Sequence, residues 1–240
     1  MQKKAAERAG IEFSGIMLPA DISQEELTRE IKKLNVNKAV TAVIVQKPLP
    51  EGMDHDVILA ELTPEKDVEG IHPCNLGRLF KGDADIVPCT AAAVMEILRA
   101  EDIDVYGKEV VIIGRSAIAG KPLSLMMLNE RATTTVCHTG TAKKGDLPGH
   151  ARNAEILVVA AGKAEMVRGD WIKKGAVVID VGINMVGGKL LGDVKFSEAA
   201  GKASVITPVP GGVGPVTVAL LMRNVLRTYR NQNVKIQRSS

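Results

Sequence analysis

The sequence predicts an α/β protein made of two units, and three observations carry that prediction. Short runs of β-branched and aliphatic residues alternate with segments of helix length. One of those runs leads directly into a glycine turn, Gly114-Arg115-Ser116. The chain has 240 residues, enough for one large or two modest domains with a real core. With 45% apolar and 25% charged residues, the composition is that of an ordinary globular protein. Lys and Arg number 31 against 28 Asp and Glu, a net charge of +3 spread along the chain, which gives no electrostatic footprint for nucleic acid or an anionic membrane. Six aromatic residues also argue against a base-stacking platform. No run of 18 apolar residues and no secretory leader pattern is read. Three cysteines, at 74, 89 and 137, form no CxxC pair and fit thiols in a reducing cytoplasm.

The elements are read in order. The opening MQKKAAERAG is an uncapped helix with Ala5, Ala6 and Ala9 on one face, ended by Gly10. Residues 10–19 are expected as a short strand closed by Pro19. Ser23 and Glu26 form a capping box for a helix whose apolar stripe is Leu27, Ile31 and Leu34. The run Ala39 to Val45 suggests a parallel strand covered on both faces, ended by Gln46-Lys-Pro-Leu-Pro. Residues 61–88 read as loop, and Thr90 as the cap of the helix AAAVMEILRA. Strands follow near 109–113, 133–137, 155–160, 176–181 and 203–206, the spacing of βαβ units. A last helix carries Val218, Leu221, Met222 and Val225 on one face.

Several of these strand ends carry groups suited to ligand chemistry. Backbone amides at the Gly114 turn, with Gly120 and Pro122 placing a helix start just beyond, suit an anion such as a pyrophosphate. The G-x-x-x-x-x-G spacing is not the usual dinucleotide fingerprint, so an ordinary βα turn is the rival reading. Cys137-His138-Thr139 ends the next strand; His138 reads as a catalytic candidate or a capped strand end. No acid closes that strand to meet a ribose diol, and with Arg115 nearby this favours NADP over NAD. Asp180-Val-Gly-Ile-Asn184 ends a further strand. Thr207-Pro-Val-Pro-Gly-Gly-Val-Gly-Pro-Val-Thr217 is a rigid, side-chain-poor loop suited to backbone contact with a flat ligand. In the first half, Gln46 with Asp67 and Glu69 could read a heterocycle with adjacent donors and acceptors. Glu65 and Lys66 read as solvated surface, and His55 and His150 as exposed. No residue set has metal-ligand spacing.

Taken together, Gln46-Lys-Pro-Leu-Pro, Pro64-Glu-Lys-Asp-Val-Glu-Gly70, Gly114-Arg-Ser-x-x-x-Gly-x-Pro, Cys137-His, Asp180-Val-Gly-Ile-Asn and Pro208-Val-Pro-Gly-Gly-Val-Gly-Pro-x-Thr217 resemble the bifunctional methylenetetrahydrofolate dehydrogenase/methenyltetrahydrofolate cyclohydrolase (FolD) family. The resemblance covers essentially the whole chain. It implies a folate-binding α/β domain (1–89 and 209–240) and a Rossmann-type NADP-binding domain (90–208), with the active site in a cleft between them. It implies oxidation of 5,10-methylenetetrahydrofolate with NADP, then hydrolysis to 10-formyltetrahydrofolate, in one-carbon metabolism and purine biosynthesis. A cytoplasmic homodimer is expected, with tetrahydrofolate derivatives as ligands. By position, Gly114, Arg115, Ser116, Thr139 and Ile183 are implied as NADP contacts, Gln46 and Glu69 as catalytic and substrate-binding groups, and Pro210, Gly211 and Gly212 as folate contacts.

The chain departs from that family's pattern in two places. Glu69 stands where the pattern has aspartate, one methylene longer. The pattern Tyr-x-x-x-Lys-x-Lys, which precedes the segment matched by Ala5 to Ile11, would set its catalytic lysine on Gln2 and its tyrosine before Met1. Lys3, the nearest alternative lysine, is one residue off register, about 100° around the helix. Relative to the pattern the chain reads as short by a helix, a strand and the start of another helix, roughly fifty residues on typical element lengths, with an exposed sheet edge as the expected result. Two further readings therefore stand beside the bifunctional enzyme: a dehydrogenase lacking the cyclohydrolase step, and an NADP-binding homologue without turnover.

Overall fold

The structure, a computed structural model, describes residues 1–238, with side chains through residue 233. The chain divides into two compact units, one formed by Met1–Val87 with the residues from Val218 onward, the other by Pro88–Thr217.

The first unit is built mainly from helices. Helix α1 (Gln2–Arg8) ends as expected at Gly10, which takes φ +69°. The amide of Ile11 donates to Ala6 O and that of Gly10 to Glu7 O, the paired bonds of a Schellman stop. Helix α2 (Gln24–Val36) has the complete Ser23/Glu26 capping box, and its Leu27 and Ile31 are buried. They join Ile58 and Leu59 of α3 (His55–Ala60), with Leu62 and Ile71, in one apolar core. Helix α4 (Pro73–Lys81) was expected as loop. Pro73 opens it, the His72 ring caps it by accepting from the Cys74 amide at 3.1 Å, and left-handed Gly82 closes it. These are helix signals packed into a segment so rich in Gly and Pro that punctuation masks periodicity.

Both strands expected in this unit are corrected. Residues 10–19 form no strand, and Phe13, Ile16 and Met17 are exposed. The 39–45 run forms only an isolated parallel bridge, Val43 with Asp67, and is half-buried rather than covered on both faces. An apolar run becomes a strand only when a neighbour supplies a ladder, and among the described residues only the Asp67 segment does so. From the C-terminal helix α10 (Val213–Arg238), Asn224 donates to Val68 O and Val87 O, and Gln232 donates to Thr41 O and Glu65 O, stapling this unit together.

The second unit is a five-stranded parallel sheet. Its strands are β1 (Glu109–Ile113), β2 (Thr133–Cys137), β3 (Ile156–Val159), β4 (Val177–Asp180) and β7 (Val205–Ile206), in the order β2-β1-β3-β4-β7. Every residue of β3 and β4 is buried, as a sheet covered on both faces requires. Helices α5 (Cys89–Ala100) and α6 (Gly120–Asn129) pack against each other, and α6 lies on β1 and β2. Leu147 and Ala151 of α8 (Leu147–Asn153) join a core with Val111, Leu157 and Val178. A short helix α7 (Thr139–Lys144) precedes α8; a hairpin of β5 (Asn184–Val186) and β6 (Lys189–Leu191) follows β4, and α9 (Phe196–Ala199) precedes β7. All five expected strands are present, shortened by up to two residues at an end. Pro88 caps α5 rather than Thr90, and α6 begins at Gly120, so Pro122 is its third residue. Because the order reverses between β1 and β3, the carboxyl ends of those strands form the edge on which open α/β sheets bind ligands.

Candidate active site

In the first unit, the Val43–Asp67 bridge runs two extended segments in parallel, so both continue toward one end, to Gln46 and to Glu69. Asp67 is 1% exposed and holds its loop in place. Its carboxylate accepts from Gly70 N at 3.0 Å, His72 N at 2.8 Å and Asn75 Nδ2 at 2.8 Å. Lys66, expected on the surface, is instead buried. Its ammonium donates to Leu34 O and Asn37 O at 2.6 and 2.7 Å, satisfying carbonyls at the end of α2, and burial lowers its pKa. His55, expected exposed, has a side chain 14% exposed, and burial lowers its pKa.

Glu69 sits just beyond this scaffold. Burial, with the Asp67 charge added, pushes its carboxyl up to about 7, and Lys47 pulls the other way. The raised value means the folded chain keeps a proton that the unfolded chain loses from about pH 4.5 upward. The penalty therefore grows as pH rises and is complete above about pH 7. Glu69→Gln should raise the melting temperature at pH 8 by a few degrees, about 1–3 kcal/mol after allowance for partial solvation, and leave it nearly unchanged at about pH 4, below the unfolded pKa. Thermal denaturation at both pH values checks this, and an equal effect at both would contradict it.

Gln46 is exposed, and its Nε2 donates to Gln2 Oε1 at 2.9 Å. Helix α1 thus brings Gln2, the position the family pattern gives to lysine, against Gln46. Lys3, one residue further round the helix, is exposed.

In the second unit, the turn after β1 is drawn tightly over the start of α6. A Cβ at Gly120 would lie 2.0 Å from Gly114 O, so only glycine lets the two backbones touch there. Ser116 Oγ accepts from Ala119 N at 3.2 Å, and Ser116 O accepts from Lys121 N at 3.1 Å. Arg115 and Ser116 are exposed, and among the described residues Arg115 has no ion-pair partner. The start of a ten-residue helix, a serine hydroxyl and an unpaired guanidinium fit a phosphorylated dinucleotide. Thr139 begins α7 and is exposed; Ile183, after β4, is 61% exposed. His138 is the N-cap of α7, its Nδ1 accepting from Gly140 N at 3.1 Å, which favours the capped-strand-end reading. Pro210 and Gly211 are exposed and Gly212 half-buried, just ahead of α10.

Sequence reasoning missed the supporting groups, namely Asn75, His72, Lys66 as a buried donor, and Asp193. Asp67-x-x-Gly70 followed by His-Pro carried a usable signal, an Asx-type turn feeding a capped helix. Asp193 carried none, because its donors lie nine to 32 residues away. Among the described residues no helix is long and apolar enough to cross a membrane, and no cluster of His, Cys, Asp or Glu could hold a metal ion.

A parallel sheet of this order, with a phosphate-suited turn at its reversal point, defines a doubly wound α/β protein whose ligand edge lies at the β1/β3 switch point. The sequence-family model for the tetrahydrofolate dehydrogenase/cyclohydrolase NAD(P)-binding domain matches residues 88–233, and that for the catalytic domain matches residues 1–69. The chain is 47% identical over 230 residues to the bifunctional protein FolD of Bacillus licheniformis, covering 95% of this chain and 80% of that one. It superposes on the crystal structure of the bifunctional FolD enzyme of Campylobacter jejuni with a TM-score of 0.93 at 44% identity, covering 96% and 82% of the two chains. Against the Trypanosoma brucei FolD enzyme, solved with NADP and an inhibitor, the TM-score is 0.91 at 44% identity, covering 96% and 80%. The chain belongs to the tetrahydrofolate dehydrogenase/cyclohydrolase (FolD) family.

Proposed function

We propose that the chain oxidises 5,10-methylenetetrahydrofolate to the methenyl form with NADP and hydrolyses the product to 10-formyltetrahydrofolate. The observation that carries this reading is the match of both family domains along a chain 47% identical to a bifunctional relative. We assign residues 1–89 and 209–240 to the folate domain and 90–208 to the NADP domain. Gly114, Arg115, Ser116, Thr139 and Ile183 hold the dinucleotide, which when bound accepts the hydride from the methylene carbon. Pro210, Gly211 and Gly212 offer a low-bulk surface to the folate. Glu69, as a carboxylate, accepts from the adjacent N–H donors of the pterin, so folate affinity rises with pH as Glu69 loses its proton near pH 7. Gln46 orients the reacting carbon, where position rather than proton transfer sets the rate.

The hydrolytic step needs more: a water must be placed and its proton removed. Beside Gln46 stands Gln2, whose carboxamide carries no titratable proton. That contact favours a second reading in which dehydrogenation predominates and hydrolysis is the weaker activity. Purified chain given methylenetetrahydrofolate and NADP should release NADPH together with the methenyl chromophore; no NADPH with either NADP or NAD would reject the assignment. We further place the protein as a cytoplasmic homodimer in one-carbon metabolism, supplying formyl groups to purine biosynthesis.

A further inference from the structure

The three loop amides Ala161, Gly162 and Lys163, just beyond β3, all point inward at one carboxylate. Asp193 Oδ2 accepts from Ala161 N at 2.6 Å and Gly162 N at 2.8 Å, and Oδ1 accepts from Lys163 N at 2.8 Å. Successive amides of this kind form a nest that ordinarily captures an external anion. Here the chain's own side chain fills it. Asp193 is completely buried, and its fourth donor is Asn184 Nδ2 at 2.9 Å, from the segment after β4. The backbone of that segment presses on the carboxylate, since a Cβ at Gly182 would lie 2.2 Å from the Asp193 carboxyl carbon. A second buried carboxylate locks the other side. Asp180 accepts from Gly182 N and Asp193 N at 3.0 Å and from Val194 N at 2.8 Å.

These bonds join the turns after β3 and β4 at the ligand-binding edge of the sheet. Ile183 lies between Gly182 and Asn184, both of them tethered, and is itself 61% exposed. A buried anion with four donors is a costly way to close a loop, and it is retained only where every donor is held in register. We propose that Asp193 is a positioning residue for the dinucleotide: its carboxylate fixes the 161–163 turn against the 182–184 segment and so sets where Ile183 and the adjoining backbone meet the bound nucleotide. This rests on the dinucleotide reading of the second unit. It also explains why this nest is closed to the pyrophosphate, which is left to the Gly114 turn.

The test is calorimetric titration of the full chain with NADP, paired with dehydrogenase kinetics. Asp193→Asn presents an amide to the nest in place of one oxygen and should weaken NADP binding about tenfold, with kcat at saturating NADP within about twofold and the folate KM unchanged. Asn184→Ala cuts the tether to the β4 side, together with the longer 3.3 Å bond from Asn184 Nδ2 to Leu191 O, and should weaken NADP about threefold to tenfold; it decides the question if Asp193→Asn fails to fold. A purely structural role would lower the melting temperature of both variants and leave the NADP dissociation constant at the wild-type value, and that result overturns the proposal. Absence of NADP binding by the wild-type chain would instead refute the dinucleotide reading itself.

Discussion

Gln2→Lys should raise methenyltetrahydrofolate hydrolysis by roughly two orders of magnitude, the lower range of general acid–base contributions, and change dehydrogenation by less than about threefold. The basis is the 2.9 Å contact in which Gln46 Nε2 donates to Gln2 Oε1. Two carboxamides in that pairing can hold a water but cannot take up its proton. A lysine at position 2 would reverse the polarity: Gln46 would turn its amide oxygen to accept from the side-chain nitrogen, whose neutral amine form can serve as a base. Hydride transfer, which depends on distance and orientation, gains little from that change. Loss of the methenyl chromophore without NADP, corrected for the uncatalysed rate, measures the first activity, and NADPH formation the second. Wild-type hydrolysis as fast as its dehydrogenation would show that Gln2 is no handicap.

Arg115→Ala should raise the KM for NADP by about thirtyfold or more and that for NAD by less than about threefold. Arg115 is exposed, free of ion pairs among the described residues, and lies in the Gly114 turn proposed above to meet the phosphates. A guanidinium paired with a phosphate is worth about 1.5–3 kcal/mol, and NAD lacks the 2′-phosphate that would receive it. The strand that would supply an acid for the NAD ribose ends in Cys137 instead. Parallel losses for both nucleotides would assign Arg115 to the pyrophosphate or to the surface.

The two units differed in how far their sequences could be read. The five parallel strands of the second unit were visible because β-branched runs such as Ile156–Val159 are short, fully buried and bounded by turns. Local signals also located the Schellman stop at Gly10 and the capping box at Ser23. The first unit misled because its apolar runs were read without their partners: Val43 finds a single bridge, and residues 10–19 find none. The candidate ligand-binding residues show the same division. Gln46 and Glu69 in the first unit, and Arg115 and Ile183 in the second, could be nominated from motif position. Asp67 could be nominated too, but as a ligand-reading group rather than the buried loop anchor it is. Asn75 and Asp193, which brace the loops around Glu69 and Ile183, act through hydrogen bonds that no local periodicity reports.

The Asp67 scaffold also determines what the extra methylene of Glu69 can do. With the flanking backbone pinned at Gly70 and His72, the loop cannot retreat to absorb a longer side chain. The added length falls to the side chain, which can carry the carboxyl group up to about 1.5 Å, one carbon–carbon bond, further than an aspartate would. A pterin held by that carboxylate, as proposed above, would be seated shallower than on an aspartate. On the proposed role of Glu69, folate affinity, rather than turnover alone, is the property that this single methylene tunes.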